Sequence, residues 1–230
     1  MLGRYRYAYL LFTLILLILG RPFLPDFGKN FVIAMLALSL VTAAVTSASK
    51  QYQAWVGVVM TFLIVFCSLA PDDFMGVNTA VVVPSLGVTY WSFTGVLILR
   101  RVAEGNKGIT GDTINGAVCV YLMMGLGWSH AYALLEALDP GSYTITPEMM
   151  QVVGHSFERF IGFSFVTLTT LGYGNVVPLT PRAESVATAE AVAGQLYIAV
   201  LLARFVAIDI AARRGPGPPA EGPSKSHQQS

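Results

Sequence analysis

The sequence predicts an all-α membrane protein with six transmembrane helices, one re-entrant helix and an extended segment that follows it. Three observations support this fold class. Of the 230 residues, 54% are hydrophobic and only 12% are charged, whereas soluble domains carry about 25% charged residues. Apolar runs close to the roughly 20 residues that cross a bilayer recur along the chain. One further apolar run is too short to span, and a glycine-rich segment follows it.

Six apolar segments approach or exceed the length of a membrane span. They run over 5–24, 31–48, 53–70, 79–99, 112–137 and 182–212. At the start of the first segment, Arg4 and Arg6 precede the apolar run Tyr7 to Leu19. No small-residue cleavage site follows this run, so an uncleaved helix is favoured over a signal peptide. The shorter apolar stretch, 156–169, predicts a re-entrant helix buried in protein.

Composition divides the chain into a four-helix region over 1–103, a second membrane region over 104–212 and a Gly- and Pro-rich tail over 213–230. The tail is disordered by composition. Basic residues lie mainly in the joints that face the cytoplasm if both ends are inside, so cytoplasmic N- and C-termini are expected. The two cysteines lie in separate apolar runs, which argues against a disulfide framework or a zinc site. A net charge of +1 does not indicate nucleic-acid binding.

The segment Thr170-Leu171-Gly172-Tyr173-Gly174 follows the re-entrant stretch. Side chains and carbonyls alternate along an ordinary strand. Aiming every carbonyl at one axis requires left-handed backbone angles at alternate residues, which glycine adopts at little cost. Gly172 and Gly174 are spaced accordingly. The alternative, a glycine-rich turn between two helices, is disfavoured by the short helix before the segment and the full span after it.

These residues and their setting resemble the potassium-channel pore family, whose filter reads Thr-Val-Gly-Tyr-Gly. The resemblance covers about 109–212 and departs from the filter core only at Leu171. It implies an outer helix, a pore helix and an inner helix at 112–137, 156–169 and 182–212. It also implies K⁺ sites formed by the carbonyls of Thr170, Leu171, Gly172 and Tyr173, with the Thr170 hydroxyl as the innermost ring.

The resemblance also carries expectations about assembly and about the filter's surroundings. One chain supplies one filter and too few oxygens to replace a hydration shell, so a cyclic homotetramer is implied. The Tyr173 ring would point away from the pore and brace the filter. Family filters usually end in Asp, whereas Asn175 stands here, which removes four charges from the outer mouth and should weaken cation concentration there. Gly162-Phe163 replaces a common aromatic pair, so looser packing around Tyr173 is expected.

The last apolar segment contains the predicted gating and inner-pore residues. Gly194 lies twenty-four positions after Thr170, where family inner helices often have a hinge; close helix packing is the alternative. Three apolar residues follow at intervals of four and share a face. That face either closes the inner mouth as apolar rings or packs against other helices. The predicted inner-pore lining is Gln195, Ile198, Leu202 and Val206.

The first four segments lack the charges of a voltage sensor. A sensor's fourth helix carries arginines at every third position. The fourth segment, 79–99, has no charged residue, and Arg100 and Arg101 lie at its inner end. We therefore expect no strong voltage sensing by the usual means and a collar of four packed helices. At the start of the fifth helix, Thr110 or Asp112 is the candidate N-cap.

By the resemblance, the chain is a potassium-selective channel of a bacterial plasma membrane that conducts K⁺ passively. K⁺ ions in the filter are the expected ligand, with no organic cofactor, and membrane lipids surround the helices. Enzyme activity is not expected, because no nucleophile elbow or His-Glu-x-x-His motif occurs. The alternatives are a weakly selective cation channel, a secondary transporter, which would tend to show paired broken helices, and a non-conducting subunit. Nothing in the sequence indicates what opens the pore.

Overall fold

A computed structural model describes residues 6–20, 28–48, 51–70, 73–74, 77–104, 110–147 and 156–214. Seven helices account for most of these residues. In chain order they are α1 (Arg6–Leu19), α2 (Gly28–Ser47), α3 (Gln51–Leu69), α4 (Thr79–Glu104), α5 (Gly111–Leu138), α6 (Ser156–Leu168) and α7 (Pro181–Arg214). Two short antiparallel pairs of strands join them: β1 (Asp73–Phe74) with β2 (Val77–Asn78), and β3 (Tyr143–Ile145) with β4 (Val176–Pro178).

Within the described ranges, four helices are long and apolar enough to cross a membrane. They are α3, α4 over Thr79–Ala103, α5, and α7 over Pro181–Ile210. They correspond to the third to sixth predicted segments. α1 has 14 residues and would extend about 21 Å at 1.5 Å per residue, which is less than a bilayer core. In α2, the described apolar portion is Leu36–Thr46. Six crossings therefore remain a prediction.

Two features of the fourth and fifth helices refine the sequence expectations. α4 continues through Pro84 on both sides, which membrane helices tolerate where neighbours compensate the lost hydrogen bond. Thr110 is the N-cap of α5, because its hydroxyl accepts the Thr113 N–H at 3.2 Å. The other candidate, Asp112, accepts the Tyr7 N–H at 3.1 Å instead. Its carboxylate therefore joins the first turn of α1 to α5.

α5 is the central helix of the chain, with α1 and α4 on one side and α6 and α7 on the other. α4 packs tightly on α5 at Gly87, where an added Cβ would overlap the His130 ring. His130 is buried and its Nδ1 lies 2.8 Å from the Leu126 carbonyl oxygen. Within the four-helix region, the buried Tyr90 hydroxyl of α4 donates to the Leu40 carbonyl of α2. The four-helix region is thus packed directly on α5.

The β3–β4 pair was not expected from the sequence. Tyr143 pairs with Pro178 and Ile145 with Val176. The turn that leads into β3 is held by Glu136, whose carboxylate oxygens accept the N–H groups of Gly141 at 2.9 Å and Tyr143 at 3.3 Å. Because β4 begins two residues after Gly174, this ladder fixes the chain immediately beyond the predicted filter.

Candidate ion-conduction site

Segment 170–174 begins directly at the end of α6. The Thr170 N–H donates to the Thr167 carbonyl at 3.0 Å, and the Leu171 N–H donates to the Val166 carbonyl at 2.8 Å. This pair of bonds is a Schellman motif, in which the residue just past the helix end adopts the left-handed conformation. That residue is Thr170, with a φ of 60°. The helix stop and the first residue of the segment are therefore one structural unit.

The backbone of the segment alternates in handedness. Thr170, Gly172 and Gly174 have φ values of 60°, 67° and 75°, while Leu171 and Tyr173 are not in the left-handed region. A strand with this alternation turns successive carbonyls towards the same side, whereas an ordinary strand alternates them. Left-handed angles cost a β-branched residue more than glycine. The Schellman hydrogen bonds therefore hold Thr170 in the left-handed conformation. Gly172 and Gly174 adopt it at little cost because they have no Cβ.

The outer end of the segment is attached to the β3–β4 ladder. The Thr146 N–H donates to the Asn175 carbonyl at 3.1 Å, and the Leu179 N–H donates to the Ser142 carbonyl at 2.8 Å. Burial raises the pKa of Tyr143 in this ladder, and the Glu136 carboxylate adds to the effect. Asn175 is therefore part of a fixed turn, and segment 170–174 is held by hydrogen bonds at both ends.

Within a single chain the segment is exposed. Leu171 is 56% exposed and Tyr173 is 71% exposed. Phe163 is buried in an aromatic cluster of the same chain, where its ring lies 4.8 Å from that of Tyr132. Its neighbour Gly162 is exposed.

α5 supports the far side of α6. Gly125 lies against Phe165, since an added Cβ would be 2.7 Å from the end of that ring. The Ser164 hydroxyl lies 2.7 Å from the Gly125 carbonyl. Near the end of α6, the Tyr121 hydroxyl donates to the Leu168 carbonyl at 3.2 Å. These contacts fix the height and rotation of α6, and through the Schellman bonds they fix the start of segment 170–174.

α7 crosses the same end of α6 at Gly194. An added Cβ there would be 2.7 Å from Leu168 Cδ1 and 3.0 Å from the Leu168 carbonyl oxygen. α7 is helical on both sides of Gly194. One helical turn further on, the Tyr197 hydroxyl donates to the Ala117 carbonyl of α5 at 2.6 Å. Close packing at Gly194 is therefore present, and the hinge role remains a prediction.

The predicted inner-pore residues lie on the part of α7 that the chain leaves uncovered. Ile198, Leu202 and Val206 are 45%, 62% and 49% exposed, and Gln195 is also exposed. The face of α7 that packs on the chain carries other residues, among them Gly194 and Tyr197. The structure thus makes the predicted lining available to an axis or to another chain.

A buried acid, Glu190, was missed by the sequence reasoning. It is fully buried on α7, one turn before Gly194. Its Oε2 accepts a hydrogen bond from the Tyr132 hydroxyl of α5, and its Oε1 contacts the Ser164 hydroxyl of α6. The signal was present, because an ionisable residue inside an apolar membrane helix indicates a function or a specific partner.

At the far end of α7, Arg204 joins the pore side to the four-helix region. Its Nη2 donates to the Ala103 carbonyl in the last turn of α4. This contact gives a carbonyl at the C-terminal end of α4 a hydrogen-bond donor from α7. Among the described residues, no cluster of His, Cys, Asp or Glu could hold a metal ion, and Cys67 and Cys119 form no disulfide.

Residues 120–208 match the profile of a family described as ion channel. The match spans most of α5, all of α6, segment 170–174 and most of α7. No curated protein and no solved structure matches the chain. The family match and the four long apolar helices together indicate an ion channel and an integral membrane protein.

Proposed function

We propose that the protein is a potassium-selective channel that conducts K⁺ passively through the axis of a homotetramer. The observation that carries this proposal is the alternation of left-handed angles at Thr170, Gly172 and Gly174. This backbone presents a row of carbonyl oxygens on one side, which is the ligand type that replaces the hydration shell of K⁺ in selectivity filters. The K⁺ ligands are the carbonyls of Thr170, Leu171, Gly172 and Tyr173 and the hydroxyl of Thr170.

Exposure supports the tetramer. One chain supplies oxygen ligands on one side of an ion, so several copies must surround the ion to replace its hydration shell. The side chains of Leu171 and Tyr173 and the uncovered face of α7 are apolar or aromatic and exposed in the single chain. A closed four-fold ring buries the filter segment at the subunit interfaces. Native mass spectrometry of the purified protein in detergent is expected to show four copies of the 24.7 kDa chain.

The four-helix region acts as a collar and not as a strong voltage sensor. α4 has no charged residue between Thr79 and Leu99, so the transmembrane potential has few charges on which to act. Arg101 near its end donates to the Thr46 carbonyl of α2 at 2.8 Å. We expect the open probability to change little with voltage, with both termini on the cytoplasmic side.

The filter assignment is tested with a matched pair of glycine substitutions. Gly172 and Gly141 both have positive φ, 67° and 88°, and an added Cβ at either has nothing within 4 Å. Gly172→Ala and Gly141→Ala therefore impose similar backbone strain without a clash. In liposomes of the purified full-length chain, we expect Gly172→Ala to abolish selective K⁺ flux and Gly141→Ala to retain it. Equal losses in both variants would contradict the filter assignment.

Reversal potentials in mixed K⁺ and Na⁺ decide among the remaining candidates. A potential close to the K⁺ equilibrium value supports the proposal. A potential near zero indicates a weakly selective cation channel, for which the missing acid at Asn175 is a structural reason. Flux that saturates at low turnover indicates a transporter, and no flux from correctly assembled protein indicates a non-conducting subunit.

A further inference from the structure

Three short polar contacts join α5, α6 and α7 behind the filter. The Tyr132 hydroxyl meets Glu190 Oε2, the Ser164 hydroxyl meets Glu190 Oε1, and the same Ser164 oxygen lies 2.7 Å from the Gly125 carbonyl oxygen. Tyr132, Ser164 and Glu190 are all fully buried. Water does not reach these groups, so the contacts must supply their own hydrogens.

The number of hydrogens determines the protonation of Glu190. Three oxygen–oxygen contacts require three hydrogens, one in each. Tyr132 and Ser164 carry one hydroxyl hydrogen each, and the Gly125 carbonyl carries none. If Ser164 donates its hydrogen to the Gly125 carbonyl, no hydrogen lies between Ser164 and Glu190. If it donates to Glu190 instead, no hydrogen lies between Ser164 and the Gly125 carbonyl. The third hydrogen is present only when Glu190 is a carboxylic acid that donates to Ser164.

The charges around Glu190 also favour its protonated form. Among the described residues, no basic side chain forms an ion pair with Glu190. An ionised carboxylate buried without a counter-charge is strongly disfavoured. The titratable groups nearest to it are tyrosines, which are neutral in the physiological range and do not balance a negative charge; they are Tyr121 and Tyr132 on α5 and Tyr143 on β3.

Among the described side chains, Glu136 lies one turn after Tyr132 on α5, where its carboxylate accepts the N–H groups of Gly141 and Tyr143. It adds negative charge on this side and so does not favour ionisation of Glu190. Arg159 lies five positions before Ser164 on α6, about 140° away around the helix at 3.6 residues per turn. His130 on α5 packs against Gly87 of α4. On α7 itself, the charged residues nearest in sequence are exposed near its start: Arg182 and Glu184.

We propose that Glu190 is a positioning residue that carries a proton and donates it to Ser164, so that this one hydrogen holds the pore helix α6 against α5 and α7. Ser164 lies six residues before Thr170 on the helix that ends in the Schellman motif. Loss of the proton leaves two acceptor oxygens facing each other, and α6 must move to separate them. The effect of losing this proton on conduction rests on the proposed channel function. On that basis, K⁺ current is lost as the pH becomes alkaline and Glu190 gives up its proton.

Infrared spectroscopy tests the proton without any need for ion flux. A protonated carboxylic acid has a carbonyl stretch separate from the carboxylate bands. We expect the purified full-length wild type at neutral pH to show this band, Glu190→Gln to lack it, and the control Glu184→Gln, an exposed acid on the same helix, to retain it. Identical spectra for wild type and Glu190→Gln would overturn the proposal, whether or not the protein conducts.

Recording K⁺ current across pH tests the positioning role. Glu190→Gln retains an N–H donor for Ser164 and an oxygen acceptor for Tyr132 but cannot lose a proton. We expect its current to match wild type at neutral pH and to persist at alkaline pH, where the wild-type current falls. Glu190→Ala removes both groups and should reduce the current by about tenfold or more. An alkaline loss that is the same in wild type and Glu190→Gln would exclude the role.

Discussion

Gly194 of α7 and Leu168 of α6 are in contact through main chain as well as side chain. A methyl group on Gly194 would lie 3.0 Å from the Leu168 carbonyl oxygen and 2.7 Å from its Cδ1. The Leu168 side chain is fully buried, and its carbonyl is held by the Tyr121 hydroxyl at the end of α6. α7 therefore packs against the turn from which segment 170–174 starts.

Gly194→Ala is expected to disturb this contact. Overpacking against backbone costs about 1–3 kcal/mol, which outweighs the gain of up to about 1 kcal/mol from alanine in a helix. We expect a lower melting temperature in detergent and a changed open probability. Gly95→Ala in α4 is the matched control, because a Cβ there has nothing within 4 Å. A loss of channel opening without a loss of stability would favour the hinge interpretation over packing.

Thr170→Gly is expected to raise stability and reduce conduction. Thr170 has a φ of 60°, and glycine removes a left-handed strain of about 1–2 kcal/mol. The same change deletes the hydroxyl of the proposed innermost K⁺ site. Thermal unfolding and single-channel current measure the two effects separately.

The neighbouring Thr169→Gly provides the comparison for this substitution. Thr169 does not have a positive φ, and its hydroxyl donates to the Phe165 carbonyl at 2.6 Å. Glycine there relieves no strain and should lower stability. A stability gain at both positions would show that the left-handed angle at Thr170 is not strained.

Gly87→Ala is expected to destabilise the packing of α4 on α5. The added methyl overlaps the His130 ring, which is buried and held by the Leu126 carbonyl. Overpacking of this kind costs about 1–3 kcal/mol. Gly127→Ala is the control, since its Cβ would lie 3.5 Å from Trp91 Cβ, an ordinary contact. Equal melting temperatures for the two variants would contradict the observed helix contact.

Asn175→Asp is expected to raise K⁺ current at low ionic strength. In a tetramer it adds four negative charges at the outer mouth, which concentrate cations. The gain should vanish at high salt, where the Debye length is about 3 Å at 1 M. Gln51→Glu adds the same charge at the start of α3, away from the filter. A salt-independent gain, or the same gain from Gln51→Glu, would show that the mouth charge is not the cause.

Local patterns in the sequence were sufficient to predict α5 and α7. The predicted spans 112–137 and 182–212 agree closely with α5 and α7, since the length of an apolar run and Pro181 at a helix start are local signals. The left-handed angles at Gly172 and Gly174 also follow from glycine spacing alone. The assignment of K⁺ ligands to segment 170–174 remains a prediction.

The contacts that hold segment 170–174 in place could not be predicted from local sequence patterns. Glu190 meets partners 58 and 26 positions away in sequence, and an acid in an apolar helix indicates that a partner exists without saying which. The β3–β4 ladder pairs segments of three residues each, too short for a strand pattern. The Schellman motif at the end of α6 has Thr170 at the position where glycine is usual. The sequence therefore carries no glycine signal for this helix end.

The bond from Arg204 to the Ala103 carbonyl has a mechanical consequence. It tethers the far end of α7 to the last turn of α4, and a hydrogen bond from a guanidinium is roughly twice as strong as a neutral one. An outward swing of α7 must either pull α4 with it or break this bond. The ends of α4 and α7 are therefore coupled, so a force that displaces one helix end is transmitted to the other.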